Sequence, residues 1–163
     1  MAEPTRITRP DGTVLELIET IPAEPADGHR PARAKARKRA LDILFEADLR
    51  QLPATAVLAA AREENDPPVR DFTVELVEGV AARVDELDAR ISRVLAAGWT
   101  LDRMPRVDRN LARLAAFELA TTDTPADVVL AEAVALSEQL STDDSPAFLN
   151  GLLSALIAGG GAR

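Results

Sequence analysis

No cysteine occurs in the 163 residues. That removes disulfides, thiolate metal sites and thiol nucleophiles together, and fits a reducing cytoplasm. Tyrosine is absent as well, tryptophan occurs once, and aromatic residues make up 3% of the chain. The core must therefore be filled by Ala, Leu and Val, a composition that suits packed helices better than sheets. The single histidine, His29, follows Gly28 in a stretch rich in Pro, Gly and acids, where nothing holds it as a base or a ligand. No histidine pair, zinc spacing or phosphate-cradling glycine loop is present, so neither an enzyme nor a cofactor is expected. No apolar run approaches the roughly 20 residues that span a bilayer. The opening "MAEPTRITRPDG" lacks the basic-then-apolar order of a signal peptide. These absences predict a cytoplasmic, all-α protein with no membrane contact.

What is present is a helical pattern of apolar residues. Residues 1–31 mix Pro, Gly, Asp and Glu; "TVLELIET" has the pattern of a short strand but no evident partner, so this extension is expected to be disordered and flexible. From Ala32 to Leu49, the residues Ala36, Ala40, Ile43, Leu44 and Ala47 recur at helical spacing. "TAVLAAAREE" predicts a second helix capped by Thr55 and closed before "NDPPV". From Asp71 to Ala97, Phe72, Leu76, Val80, Val84, Leu87, Ile91 and Val94 form one long stripe that Gly79 is expected to bend or divide. Gly98 and Pro105 then break the pattern, and Trp99 is expected to plug the junction. A helix carrying Val107, Leu111, Leu114 and Ala115 inward follows. Two more helices start at "TPAD" and "DSPAF", with Thr124 and Ser145 as expected caps. The sum is six to seven helices in a domain over 32–158, with halves of about 32–98 and 99–158 and a frayed tail over 159–163.

Charge is unevenly placed. Six of the 19 basic residues fall between Arg30 and Arg39 with no acid among them, on a chain of net charge −8; they carry +6 and leave the remainder at −14. General attraction to nucleic acid is excluded, and any such binding must be local. Arg33, Lys35, Arg37, Lys38 and Arg39 stand where the extension enters a helix and can fan around a phosphate backbone. The bland alternative is a solubilising charged terminus. Arg106, Arg109 and Arg113, at i, i+3 and i+7, make a second basic face beside the apolar one, or a surface stripe paired with acids such as Asp102. The two basic sites together would flank one bound strand. Phe45, two turns after Arg37, is placed to stack on an unpaired base, although core packing is the default for such a residue.

Three segments, in this order and spacing, carry a resemblance: "ARKRALDILFEADL", "GWTLDRMPRVDRNLARLAAFEL" and "TPADVVLAEAVALSEQLSTDDSPAFLNGLL". Over about Ala32 to Leu156 the chain resembles the NusB family of transcription antitermination factors, particularly its actinobacterial form. The resemblance implies two packed three-helix bundles and no catalysis. It implies binding to the boxA element of nascent ribosomal RNA transcripts as a heterodimer with NusE, the small-subunit ribosomal protein S-ten, and through it contact with other Nus factors and RNA polymerase. A homodimeric interaction module with only weak RNA affinity is the alternative.

Residue by residue, the resemblance sets Arg33, Lys35 and Arg37 in the family's arginine-rich RNA-binding segment, with Lys38 and Arg39 adjoining. Phe45 takes the aromatic position after the arm, Asp108 an acidic one, and Arg109 and Arg113 basic ones. Asp144, in the family's "DS" turn, falls near the RNA and partner surfaces, and charge placement puts Arg106 on the RNA or partner surface with it. Ala131 stands before Glu132 where much of the family has Asn, so a polar contact is missing there. The extension ahead of the arm, with six acids against three basic residues through Arg30, has no counterpart in the family pattern.

Overall fold

The computed structural model describes residues 6–8, 14–16 and 26–159. The chain divides into two units, Met1–Arg33 and Ala34–Arg163. In the first, β1 (Arg6–Thr8) and β2 (Val14–Glu16) pair antiparallel with Ile7 opposite Leu15. The expected strand segment therefore has a partner. Residues 26–31 of the expected disordered extension lie instead in the first helix; the rest of that expectation concerns residues outside those described, as does the tail beyond Gly159.

Helix α1 runs over Ala26–Arg50, starting six residues before the expected Ala32. Pro31 lies inside it, past the first turn where proline is ordinarily tolerated, which is why the sequence pointed to a later start. Helix α2 (Ala54–Glu64) has Pro53, not Thr55, at its N-cap, and ends at Asn65 in the left-handed conformation (φ 52°). Helix α3 (Asp71–Val94) is continuous past Gly79 and kinks instead at Arg83 (φ −125°, ψ 16°). A 3₁₀ turn (Leu101–Arg103) leads to α4 (Arg106–Thr121), then α5 (Ala126–Leu140) and α6 (Ser145–Ala158). Pro125 and Asp144 occupy the last two N-caps, and neither Thr124 nor Ser145 serves as one.

The helices α1–α3 and α4–α6 form two three-helix groups that share one core. A continuous apolar cluster runs from Ala40 through Leu76, Leu87, Ile91, Leu111 and Leu149 to Leu156. The expected inward residues of α1 are all buried, and so are Leu111, Leu114 and Ala115 of α4. Trp99 does not plug the junction: it is 46% exposed and leans on Phe148, with ring centroids 5.4 Å apart. A tryptophan on the turn after Gly98 (φ +86°) reaches one neighbouring ring but not the interior.

Packing of α3 on α4 explains the unbroken helix at Gly79. The Phe117 ring lies against this position, and a Cβ there would come within 3.0 Å of three of its ring atoms. Gly79 is thus a place of close approach, not a bend. Gly79→Ala regains about 1 kcal/mol of helix propensity but overpacks the Phe117 pocket at a cost of about 1–3 kcal/mol. The expected outcome is a lower urea midpoint at unchanged slope; a raised midpoint would contradict this packing.

Candidate nucleic-acid interface

Helical geometry separates the basic arm into inward and outward members. Arg37 shares a face with Leu41 (i+4) and Leu44 (i+7), both buried, and is itself only 5% exposed. Its guanidinium is bidentate to Glu118 of α4, with Nε–Oε1 at 2.7 Å and Nη2–Oε2 at 3.0 Å, and lies 5.4 Å from the Phe72 ring centroid. Arg37 therefore belongs to the core and does not join the cations that can meet phosphate. Arg33, Lys35 and Lys38 are exposed and Arg39 is half-buried. Lys38 pairs with Asp42 one turn on, at 3.3 Å. Phe45 is partly exposed, outside the buried cluster.

The basic residues of α4 are neutralised in place, and not by Asp102. Arg109 donates to Asp48 of α1 at 2.7 Å, Asn110 to the same oxygen at 3.1 Å, and Arg106 lies 3.6 Å from it. Arg106 Nε is buried without a hydrogen-bond partner. Arg113 is bidentate to Asp88 of α3, at 2.7 and 2.8 Å. The anticipated free basic face of α4 is thus a set of interhelical ion pairs. Lys35 and Asp48 are also separated by 13 residues of helix, about 20 Å at 1.5 Å per residue, so the structure does not bring the arm and the Arg106–Arg109 cluster together.

Asp108 is 1% exposed and faces hydroxyls, not a cation. Ser141 donates to Oδ1 at 2.6 Å and Ser145 to Oδ2 at 2.7 Å, tying α4 to the α5–α6 turn. With both serine protons committed to the carboxylate, the hydroxyl of Thr142 supplies the proton for its 2.8 Å contact with Ser145. Buried in this way, Asp108 shapes the turn and is closed to direct contact with RNA. The adjacent Asp144 is exposed at the N-cap of α6, where the helix dipole favours an acid.

Two features escaped the sequence reading. Glu118 is an acid inside the apolar run "LAAFELA", on the line of Leu111 and Leu114, and that spacing was the available signal for a buried partner to Arg37. Arg70 lies on the loop before α3 and, with Pro67 and Pro68, lines a groove against Lys35, Lys38 and Arg39; nothing local in the sequence predicted that return to α1.

Burial by itself raises the Asp48 carboxyl, but hydrogen bonds from Arg109 and Asn110, with the charges of Arg109 and Arg106, outweigh it and hold the group below its ordinary 3.8. A carboxyl with a lower pKa folded than unfolded stabilises the fold above its unfolded value, and that contribution is lost as pH falls through the folded value. Asp48→Asn is expected to cost about 1–3 kcal/mol at pH 7, from weakened charge-assisted hydrogen bonds. Urea titrations of both proteins should show this gap closing below about pH 3.8, the ordinary value; an equal gap in acid would contradict the assignment.

Residues 34–158 match the model of the NusB family. A transcription antitermination protein NusB from Cutibacterium acnes is 58% identical over 131 residues, covering 80% of this chain and 50% of that protein, so the chain spans about half the length of this relative. A second, from Salinispora tropica, is 59% identical over 127 residues, covering 76% of this chain and 93% of that protein. Among solved structures, a crystal structure of the antitermination factors NusB and NusE in complex with dsRNA aligns with a TM-score of 0.68 at 27% identity, over 78% of this chain and 96% of that one.

Proposed function

This chain belongs to the NusB family of transcription antitermination proteins, which are not enzymes, and we propose that it binds the boxA element of nascent ribosomal RNA transcripts as a heterodimer with NusE, the small-subunit ribosomal protein S-ten. Through that heterodimer it joins other Nus factors on RNA polymerase. The observation that carries this reading is the outward positive charge of α1. Lys35 and Lys38 are exposed and Arg39 half-exposed on a chain whose net charge is −8. The likeness to a NusB bound to NusE and dsRNA supports it.

Arg33, Lys35, Lys38 and Arg39 supply the charge that meets phosphate, and Phe45 offers a partly exposed ring for stacking. Arg37, Asp108, Arg109 and Arg113 hold the helices that present them. So short an arm reaches few phosphates, so RNA binding by this chain alone is weak and the partner tightens it.

Fluorescence anisotropy of a labelled boxA RNA, titrated at two salt concentrations with and without S-ten, tests the proposal. Binding should tighten with the partner and exceed that of scrambled RNA. Replacing Lys35 and Lys38 together by Ala should flatten the log-log salt dependence by about 0.7 for each phosphate that is no longer neutralised. No partner effect and no preference over scrambled RNA would refute it.

A further inference from the structure

The groove between α1 and the α2–α3 loop gathers four cations against one carboxylate. Lys35, Lys38 and Arg39 line it from α1, Arg70 from the loop, and Pro67 and Pro68 complete the lining. One carboxylate, Asp42, is present, and Lys38 already partners it at 3.3 Å. Among the described residues, Lys35, Arg39 and Arg70 make no ion pair. Arg37, Arg109 and Arg113, by contrast, are each held by an acid of another helix. Thr73, which also lines the groove, is fully buried, and its hydroxyl donates to the Ala36 carbonyl at 2.9 Å, so its one donor is committed to the fold and none is left for an anion.

This arrangement selects an anion with an apolar side. Surface attraction is screened over about 8 Å at physiological salt, so on an acidic protein only a ligand seated among these cations gains from them. Proline has no N–H, so Pro67 and Pro68 present rigid ring surface and no backbone donors. The groove measures about 370 Å³, near the lower end of ligand clefts, which suits a nucleotide with its flanking phosphates. Arginine on one wall and arginine and lysine on the other match phosphate oxygens by charge-assisted hydrogen bonds. A ribose or base rests against the proline rings.

We propose that this groove binds the sugar-phosphate backbone of single-stranded RNA, with Arg70 meeting a phosphate opposite Arg39 and Lys35. The proposal rests on the RNA-binding reading and extends the RNA path from the α1 arm to the start of α3. Because it is the backbone that is held, the groove adds affinity without sequence preference.

Arg70 suits the test because it is exposed and, although it stands at the N-cap of α3, makes no side-chain cap hydrogen bond. Labelled boxA and scrambled single-stranded RNAs are titrated by anisotropy against the full chain and its Arg70→Ala and Arg70→Lys variants. S-ten binding is measured in parallel by calorimetry, and folding by circular dichroism. Arg70→Ala should weaken both RNAs alike, by about fivefold at low salt, and lower the salt slope by about 0.7. Arg70→Lys should restore much of the affinity and the slope, while S-ten binding and the circular dichroism stay unchanged. If the unsubstituted chain binds RNA and Arg70→Ala binds it with the same affinity and slope, the groove is not an RNA site and the α1 arm stands alone. Loss of S-ten binding with RNA binding intact assigns the groove to a protein partner and overturns the proposal. Failure of the unsubstituted chain to bind either RNA overturns the RNA-binding reading along with it.

Discussion

Two opposite charges removed from water must satisfy each other fully or the fold loses several kcal/mol, and the Arg37–Glu118 pair meets that requirement with two short hydrogen bonds between α1 and α4. The bidentate geometry fixes the rotation of α1 about its own axis. Successive residues of a helix diverge by about 100°, so with Arg37 turned to the core, Lys35, Lys38 and Arg39 are turned away from it. Exposure of the arm is thus a consequence of the one basic residue that does not share it.

Helix α4 supplies the other half of this constraint. Its residues from Asn110 to Leu119 are nearly all buried, and its buried Asp108, Asn110 and Glu118 each meet a partner outside α4. Asp48 of α1 receives Arg109 and Asn110, Asp88 of α3 receives Arg113, and Asp108 receives two serines from the α5–α6 turn. These pairings consume charge that would otherwise sit at the surface. On the outward face of α1 and the neighbouring loop, Lys35, Arg39 and Arg70 keep positive charge that no described acid pairs, a local concentration on an otherwise acidic protein.

The apolar periodicity of the chain revealed the helices well, because core burial obeys the same 3.6-residue repeat that sequence spacing displays. Ala36, Leu44, Leu76, Leu87 and Leu111 all fall where that repeat puts them. Helix starts were less legible: Thr55, Thr124 and Ser145 have the chemistry of caps, yet Pro53, Pro125 and Asp144 occupy those positions. Charge was misread wherever its meaning depended on a partner far along the chain. Arg37 looks like its neighbours until Glu118, 81 residues away, is placed beside it, and the α4 arginines look free until Asp48 and Asp88 arrive. The family resemblance carried the fold and the class of function, since long ordered motifs survive such local ambiguity. It did not reveal which arginines face inward.

Urea unfolding of Arg37→Met, Glu118→Leu and the double variant tests the central role of the buried pair most directly. Each single change strands one buried charge and should cost about 3–5 kcal/mol, while the double variant, which removes both, should recover much of that loss. Single variants that lie within about 0.5 kcal/mol of the unsubstituted protein, as ordinary surface changes do, would contradict the account.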